Sequence, residues 1–136
     1  MTSVAVDPSV LLASFYREPD WEIYHNLMLD NEALISAAGF VELGRVMTGR
    51  LREAGLEHFR SLVADYQLRV VPVDAAQAHP TVEAAVRYGK GRGASPAVLN
   101  YGDLFSYALA KALDLPLLYK GRDFAATDVR PVLAGA

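Results

Sequence analysis

No cysteine occurs in the 136 residues, which excludes disulfides, zinc–thiolate centres and cysteine nucleophiles together. No apolar run is long enough to span a bilayer, and "MTSVAVD" lacks the basic-then-apolar pattern of a secretory leader. A cytoplasmic location is therefore expected. Positive charge is not in excess either: 13 Lys and Arg face 16 Asp and Glu, a formal net charge of -3. That argues against a protein that coats nucleic acid by bulk electrostatics. It leaves room for a locally acidic site at which metal ions supply the positive charge. His25, His58 and His79 fall on helical segments with no evident acidic or hydroxyl partner, and read as surface or boundary residues. Internal repeats, low-complexity tracts and linkers are lacking, so residues 1–136 read as one domain.

What is present is a hydrophobic fraction of 52%, enough for a sizeable core, arranged as strands alternating with helices. "SVAVD" is a β-branched run ending at Asp7, and Pro8 suits the first helical turn, where its missing N–H costs nothing. "PDWEIYHNLMLDN" places Trp21, Tyr24, Leu27 and Met28 at helical spacing; with Phe15, these aromatics suit a core or a dimer face. "ALIS" reads as the second strand. "AAGFVELGRVMTG" reads as a helix with the stripe Phe40, Leu43, Val46 and Met47. Another helix, "GLEHFRSLVADY", leads into the strand "LRVVPV". Asp74 then caps "AAQAHPTVEAAVRYG", which Pro80 is expected to kink or split. After the Gly-rich "GKGRGASP" come a helix from about Tyr101 to Leu113, the strand "PLLY", a turn at "KGRDF" and an extended piece near "VRPVL". This alternation predicts a parallel sheet covered on both faces. Ligands in such sheets sit beyond the C-terminal strand ends, near a switch in strand order.

Four carboxylates can reach that edge. Asp7 closes the first strand, Asp123 follows "PLLY", Glu42 lies early in the third helix, and Asp103 opens a mostly apolar helix whose nearest cation is Lys111, two turns away. Taken singly, they read as helix caps, a turn residue and a solvated side chain. Together they raise each other's pKa unless cations neutralise them. Oxygen ligands without His or Cys suit Mg²⁺ or Mn²⁺, which activate water and stabilise charge on a phosphodiester.

The segments "VDPSVLLA", "FVELGRV", "LNYGDLFSYALAKAL" and "LLYKGRDFAATDV" resemble those of PIN-domain ribonucleases, specifically VapC-type toxins of bacterial toxin–antitoxin pairs. The resemblance runs end to end and is densest from Gly89 to Val129. It implies a three-layer α/β/α PIN-like domain with a central parallel sheet, and a Mg²⁺-dependent endoribonuclease leaving a 3′-hydroxyl and a 5′-phosphate. It implies a homodimer and a cognate antitoxin that blocks the site. It also implies that Asp7, Glu42, Asp103 and Asp123 form the acidic site, with Asp7, Asp103 and Asp123 as metal ligands. Ser9 matches the family's small hydroxyl residue beside the first Asp, and Asn100 its Asn before the third acidic residue. Pro8 departs from the family, which has Thr or another small residue there. Arg122 stands where relatives are often acidic, so "KGRDF" offers one carboxylate instead of two, with Asp128 a substitute ranked behind Asp123.

Lys90, Arg92, Lys120 and Arg122 flank the expected pocket and could grip RNA phosphates. "GKGRG" lacks the Lys-Ser/Thr ending of a P-loop and reads as a loop. Two rival readings remain. One is a phosphoryl-transfer domain on a doubly wound sheet: a dehalogenase-like phosphatase would need a second Asp two residues after Asp7, where Ser9 stands, and a receiver an acidic pair at the first strand and an acceptor Asp ending the third, where Asp7 is alone and Asp74 comes late. A PIN-like binding module would carry the same carboxylates as a vestigial site.

Overall fold

Val4 and Val6 point to one side of the first strand and Ala5 to the other, and this alternation divides the interior in two. The computed structural model describes residues 2–91 and 98–133. The strands are β1 (Ser3–Val6), β2 (Glu32–Ser36), β3 (Arg69–Val71) and β4 (Leu117–Leu118). The helices are α1 (Pro8–Tyr16), α2 (Trp21–Asp30), α3 (Ala37–Leu51), α4 (Glu53–Asp65), α5 (Ala75–Tyr88) and α6 (Tyr101–Ala112). The strands form one all-parallel sheet in the order β3-β2-β1-β4.

Val4, Val6, Ala33, Ile35 and Leu118 pack against α1 to α4 through Leu11, Met28, Leu43, Met47 and Phe59. Ala5 and Leu117 face the opposite way, onto Leu99, Leu104, Tyr107 and Leu109 beside α5 and α6. The result is the expected three-layer α/β/α arrangement. β4 has only two residues, yet Leu117 and Leu118 are both fully buried. Such burial contributes roughly 1.5–3 kcal/mol per side chain. No described helix is long and apolar enough to cross a membrane.

The chain moves outward from β1 to β2 and β3, then returns to the other side of β1 for β4. The switch in strand order therefore lies between β1 and β4. Asp7 follows the first of these strands, and the Lys120–Asp123 turn follows the second. Gly121 turns that loop with φ +98, a conformation that side-chain-bearing residues rarely adopt.

Some local expectations need correction. α5 runs unbroken through Pro80, so the proline does not split it. Its start is held by Asp74, which accepts from Gln77 N at 3.0 Å. Val46 leaves the expected α3 stripe and is exposed, because Phe59 of α4 meets Phe40 and Gly44 on the inner face instead. Tyr24, Leu27 and Phe15 are partly buried against the first core, whereas Trp21 supports the Arg17 guanidinium at 3.9 Å.

Candidate active site

Asp7 ends β1 and is also the N-cap of α1: its Oδ2 accepts from Ser9 N at 3.1 Å, and Pro8 occupies the position that needs no donor. Its Oδ1 accepts from Ser106 Oγ of α6 at 2.6 Å. The residue is only 6% exposed. Burial pushes the carboxyl above its ordinary range, the two serines pull it back, and the negative Asp123 pushes it up again.

Asp103 sits in the first turn of α6. Asn100 Oδ1 accepts from Asp103 N at 2.9 Å, and Asp103 Oδ2 accepts from Asn100 N at 3.1 Å, a reciprocal capping box. Asn100 is thus explained by the helix start, and Asp103 by the helix start and its acidic neighbours together. Desolvation raises Asp103 to about 7; Asp7 and Asp123 add to the rise, and the Asn100 amide opposes it. Lys111 does not relieve this carboxylate. It pairs instead with Asp128 at 3.1 Å.

Glu42 projects from the first turns of α3 across Gly102, where a Cβ would collide with its Oε1. Glu42 is exposed as a residue, but local desolvation and the nearby Asp7 hold its carboxyl above the usual range. Asp123 is exposed on its turn and acts electrostatically on both Asp7 and Asp103. All four acidic positions expected from the sequence are therefore electrically linked around the β1/β4 switch. The linkage is pairwise: among the described residues, no three acidic or histidine side chains are gathered into a set that holds an ion as they lie. The donors are oxygen-only, and burial first, with the neighbouring carboxylates adding to it, pushes Asp7, Glu42 and Asp103 up; oxygen donors of this kind suit a hard divalent cation.

Ser9 Oγ accepts from Lys120 N at 3.0 Å, so it stitches α1 to the turn that carries Asp123. Lys120 Nζ pairs with Glu18 at 3.0 Å, while Arg122 is exposed on the turn. Arg92 lies outside the described residues, as does much of the "GKGRGASP" loop. Asp128 belongs elsewhere. It accepts from Tyr107 OH at 2.5 Å and from Lys111, and these contacts outweigh partial burial to lower its pKa.

Two features escaped the sequence reading. Ser106 sits three residues after Asp103 on the same helix face, a spacing that turns it toward the acidic edge without naming Asp7 as its partner. His25 Nδ1 lies 2.6 Å from Tyr66 OH, which is also 2.5 Å from Ser14 Oγ. His25 therefore does have a hydroxyl partner, and His79 has an acidic one, Glu83 at 3.4 Å. His58 lies against Phe15, with centroids 5.5 Å apart.

The model of the PIN domain family matches residues 4–130. The chain belongs to the PIN-domain family. It is of the VapC type: it is 40% identical over 130 residues to a "Ribonuclease VapC" of Mycolicibacterium smegmatis, covering 95% of this chain and 99% of that one. It is 39% identical over 127 residues to "Ribonuclease VapC42" of Mycobacterium tuberculosis, covering 93% and 96%. Among solved structures it resembles the sarcin-ricin loop cleaving toxin VapC20 of M. tuberculosis, with a TM-score of 0.73, 16% identity and coverage of 95% and 98%. The VapBC2 structure from Rickettsia felis, bound to a promoter DNA fragment, matches with a TM-score of 0.71 and 14% identity over 96% of each chain. As a PIN-domain chain it leaves no place for the rival doubly wound phosphoryl-transfer folds.

Proposed function

We propose that this PIN-domain protein is an endoribonuclease, the toxin of a type II toxin–antitoxin pair, which hydrolyses RNA phosphodiesters with Mg²⁺ or Mn²⁺ held by Asp7, Asp103 and Asp123. The observation that carries the reading is the mutual electrostatic linkage of these carboxylates at the β1/β4 switch, in a chain about 40% identical to proteins named as VapC ribonucleases. When bound, the cation lowers the pKa of a water molecule and offsets charge on the phosphate.

The protein's own groups do the rest. Ser106 and the Ser9 amide fix the orientation of Asp7, so one ligand needs no ordering when the site loads. The Asn100 amide does the same for Asp103. Glu42, whose carboxyl feels the charge of Asp7 and is less enclosed, takes the proton from the attacking water; the P–O3′ bond breaks, and the departing oxygen takes a proton from solvent, leaving a 3′-hydroxyl and a 5′-phosphate. Arg122 meets a backbone phosphate beside the site, with Lys120 reaching one only by leaving Glu18. A cognate antitoxin, a partner suggested by the likeness to the VapBC2 structure, blocks the site, and the active form is a homodimer.

The test is cleavage of total RNA by purified protein freed of any partner, in Mg²⁺, in Mn²⁺ and in EDTA. Cutting in both metals and none in EDTA is expected. Undiminished cutting in EDTA overturns the metal site. RNA binding without cutting in either metal overturns the enzyme in favour of a vestigial PIN-like binding module.

A further inference from the structure

An aromatic surface adjoins the acidic cluster without taking part in it. Tyr101 opens α6 two residues before Asp103, and it is 78% exposed, so it adds little to the core. Its ring is braced by Phe105 one turn later, with centroids 5.0 Å apart and an interplanar angle of 78°. The two rings line one side of a cavity of about 230 Å³ whose other wall carries Glu42 and Arg45 of α3. Gly102 lies between the walls and leaves the space that Glu42 occupies. Glu42 is common to this cavity wall and to the acidic group, and Tyr101 lies two residues from Asp103 on the same helix, so the cavity flanks the acidic cluster.

We propose that Tyr101, braced by Phe105, is a stacking platform for one unpaired RNA base beside the phosphodiester held at the acidic cluster. This inference rests on the ribonuclease reading above and names a residue that sets substrate preference. The volume is below the roughly 300–1,000 Å³ of a drug-sized pocket, which suits a single planar ring. Charge strengthens the argument. A chain of net charge -3 with an acidic cleft gains little from bulk attraction to a phosphate backbone. Stacking on an aromatic face supplies affinity that does not depend on cations and is available to every base. Arg45 on the opposite wall offers a cation to the neighbouring phosphate.

The test uses Tyr101→Ala, Tyr101→Leu and Tyr101→Trp with short single strands, intact or carrying one abasic residue at each position flanking the cut. Circular dichroism checks the fold of each variant. For Ala and Leu, KM should rise about 5- to 150-fold with kcat little changed, the loss expected for one base–aromatic stack. Trp should restore it. The parent should lose affinity for the strand that is abasic at one flanking position, and the Ala variant should be indifferent to that change. Binding of the same strands, followed by anisotropy with Ca²⁺ in place of Mg²⁺, separates this inference from the reading beneath it. Abasic-sensitive binding lost in Tyr101→Ala, by a parent that cuts nothing, overturns the ribonuclease reading alone. A parent that cuts with KM independent of Tyr101 overturns the platform alone. A loss in Ala and Leu that tracks dissociation into a smaller species in sedimentation also overturns it, and gives the patch to a second copy of the chain.

Discussion

Ser106 Oγ donates to Asp7 Oδ1 at 2.6 Å, joining two residues 99 positions apart inside the protein. The bond lowers the pKa of a carboxylate that burial raises, and it fixes the direction in which that carboxylate presents its other oxygen. Ser106→Ala should leave the fold intact and raise the Mg²⁺ concentration needed for half-maximal cleavage by about 10-fold, the lower end for a lost outer hydrogen bond to a ligand. Cleavage titrated against Mg²⁺ checks this. An unchanged midpoint would separate Ser106 from the metal ligands.

Asp7→Asn and Asp103→Asn should each abolish cleavage and keep the fold, because asparagine still accepts the capping hydrogen bonds that both residues make. In the parent, about 10 mM Mg²⁺ at a Kd on the order of 1 mM should contribute roughly 1.4 kcal/mol, a melting rise of roughly 3 to 5 °C. Asp7→Asn removes a repelling charge, so without metal it should melt no lower than the parent, and its Mg²⁺ response should shrink. Melting scans in EDTA and Mg²⁺ at equal ionic strength decide. A full shift in the variant excludes Asp7 from the site.

The pH dependence has a definite sign. Asp103 binds its proton more tightly when folded, with a pKa of about 7 against an ordinary 3.8. Its contribution to stability is complete below the ordinary value and lost as pH rises through about 7. Asp7 and Glu42 are shifted the same way. Metal-free protein should therefore melt lower at about pH 8 than at about pH 5.5, by roughly a few degrees. The slope should shrink in Asp103→Asn and in Mg²⁺. Calorimetry giving parent and variant equal slopes would remove Asp103 as its source.

Arg122→Ala should flatten the salt dependence of RNA binding by roughly 0.7 in the logarithmic slope, one phosphate contact on a single strand. Lys120→Ala should change it less, since Glu18 already pairs with that ammonium. Equal slopes for Arg122→Ala and the parent, measured by anisotropy across a salt series, would take Arg122 off the RNA backbone.

An antitoxin that places an Arg or Lys among the four carboxylates would gain charge-assisted hydrogen bonds in a partly desolvated cleft. Changing the partner's basic residues near the site to Ala should then weaken inhibition and leave any distant contacts intact. Inhibition at full strength after those changes would point to steric blockage.

The layers and the sheet-edge position of the acidic residues were legible because β-branched runs, N-terminal prolines and helical apolar spacing are local signals. Asp7 and Asp74 showed themselves as caps for the same reason. Ser106 was harder to see: its role depends on a partner at the far end of the sequence. Val46 misled because helical spacing alone does not say which neighbour arrives, and Phe59 claimed the adjoining face. His25 has no partner at local spacing, because Tyr66 reaches it only through tertiary folding. Lys120 and Arg122 looked alike on one turn until Glu18 took one of them.

The β1–β4 seam has a temporal consequence. Asp7 is made early, but the strand beside it, the serine that orients it and two of its acidic neighbours all come after residue 100. A ribosome therefore carries a growing chain that holds most of the α1–α4 core, all but Leu118 and the Val132 and Leu133 side chains beside it, while the acidic cleft has only Asp7 and Glu42. The cleft is completed by residues 103–123, and its four carboxylates meet only once that segment has joined the sheet beside β1.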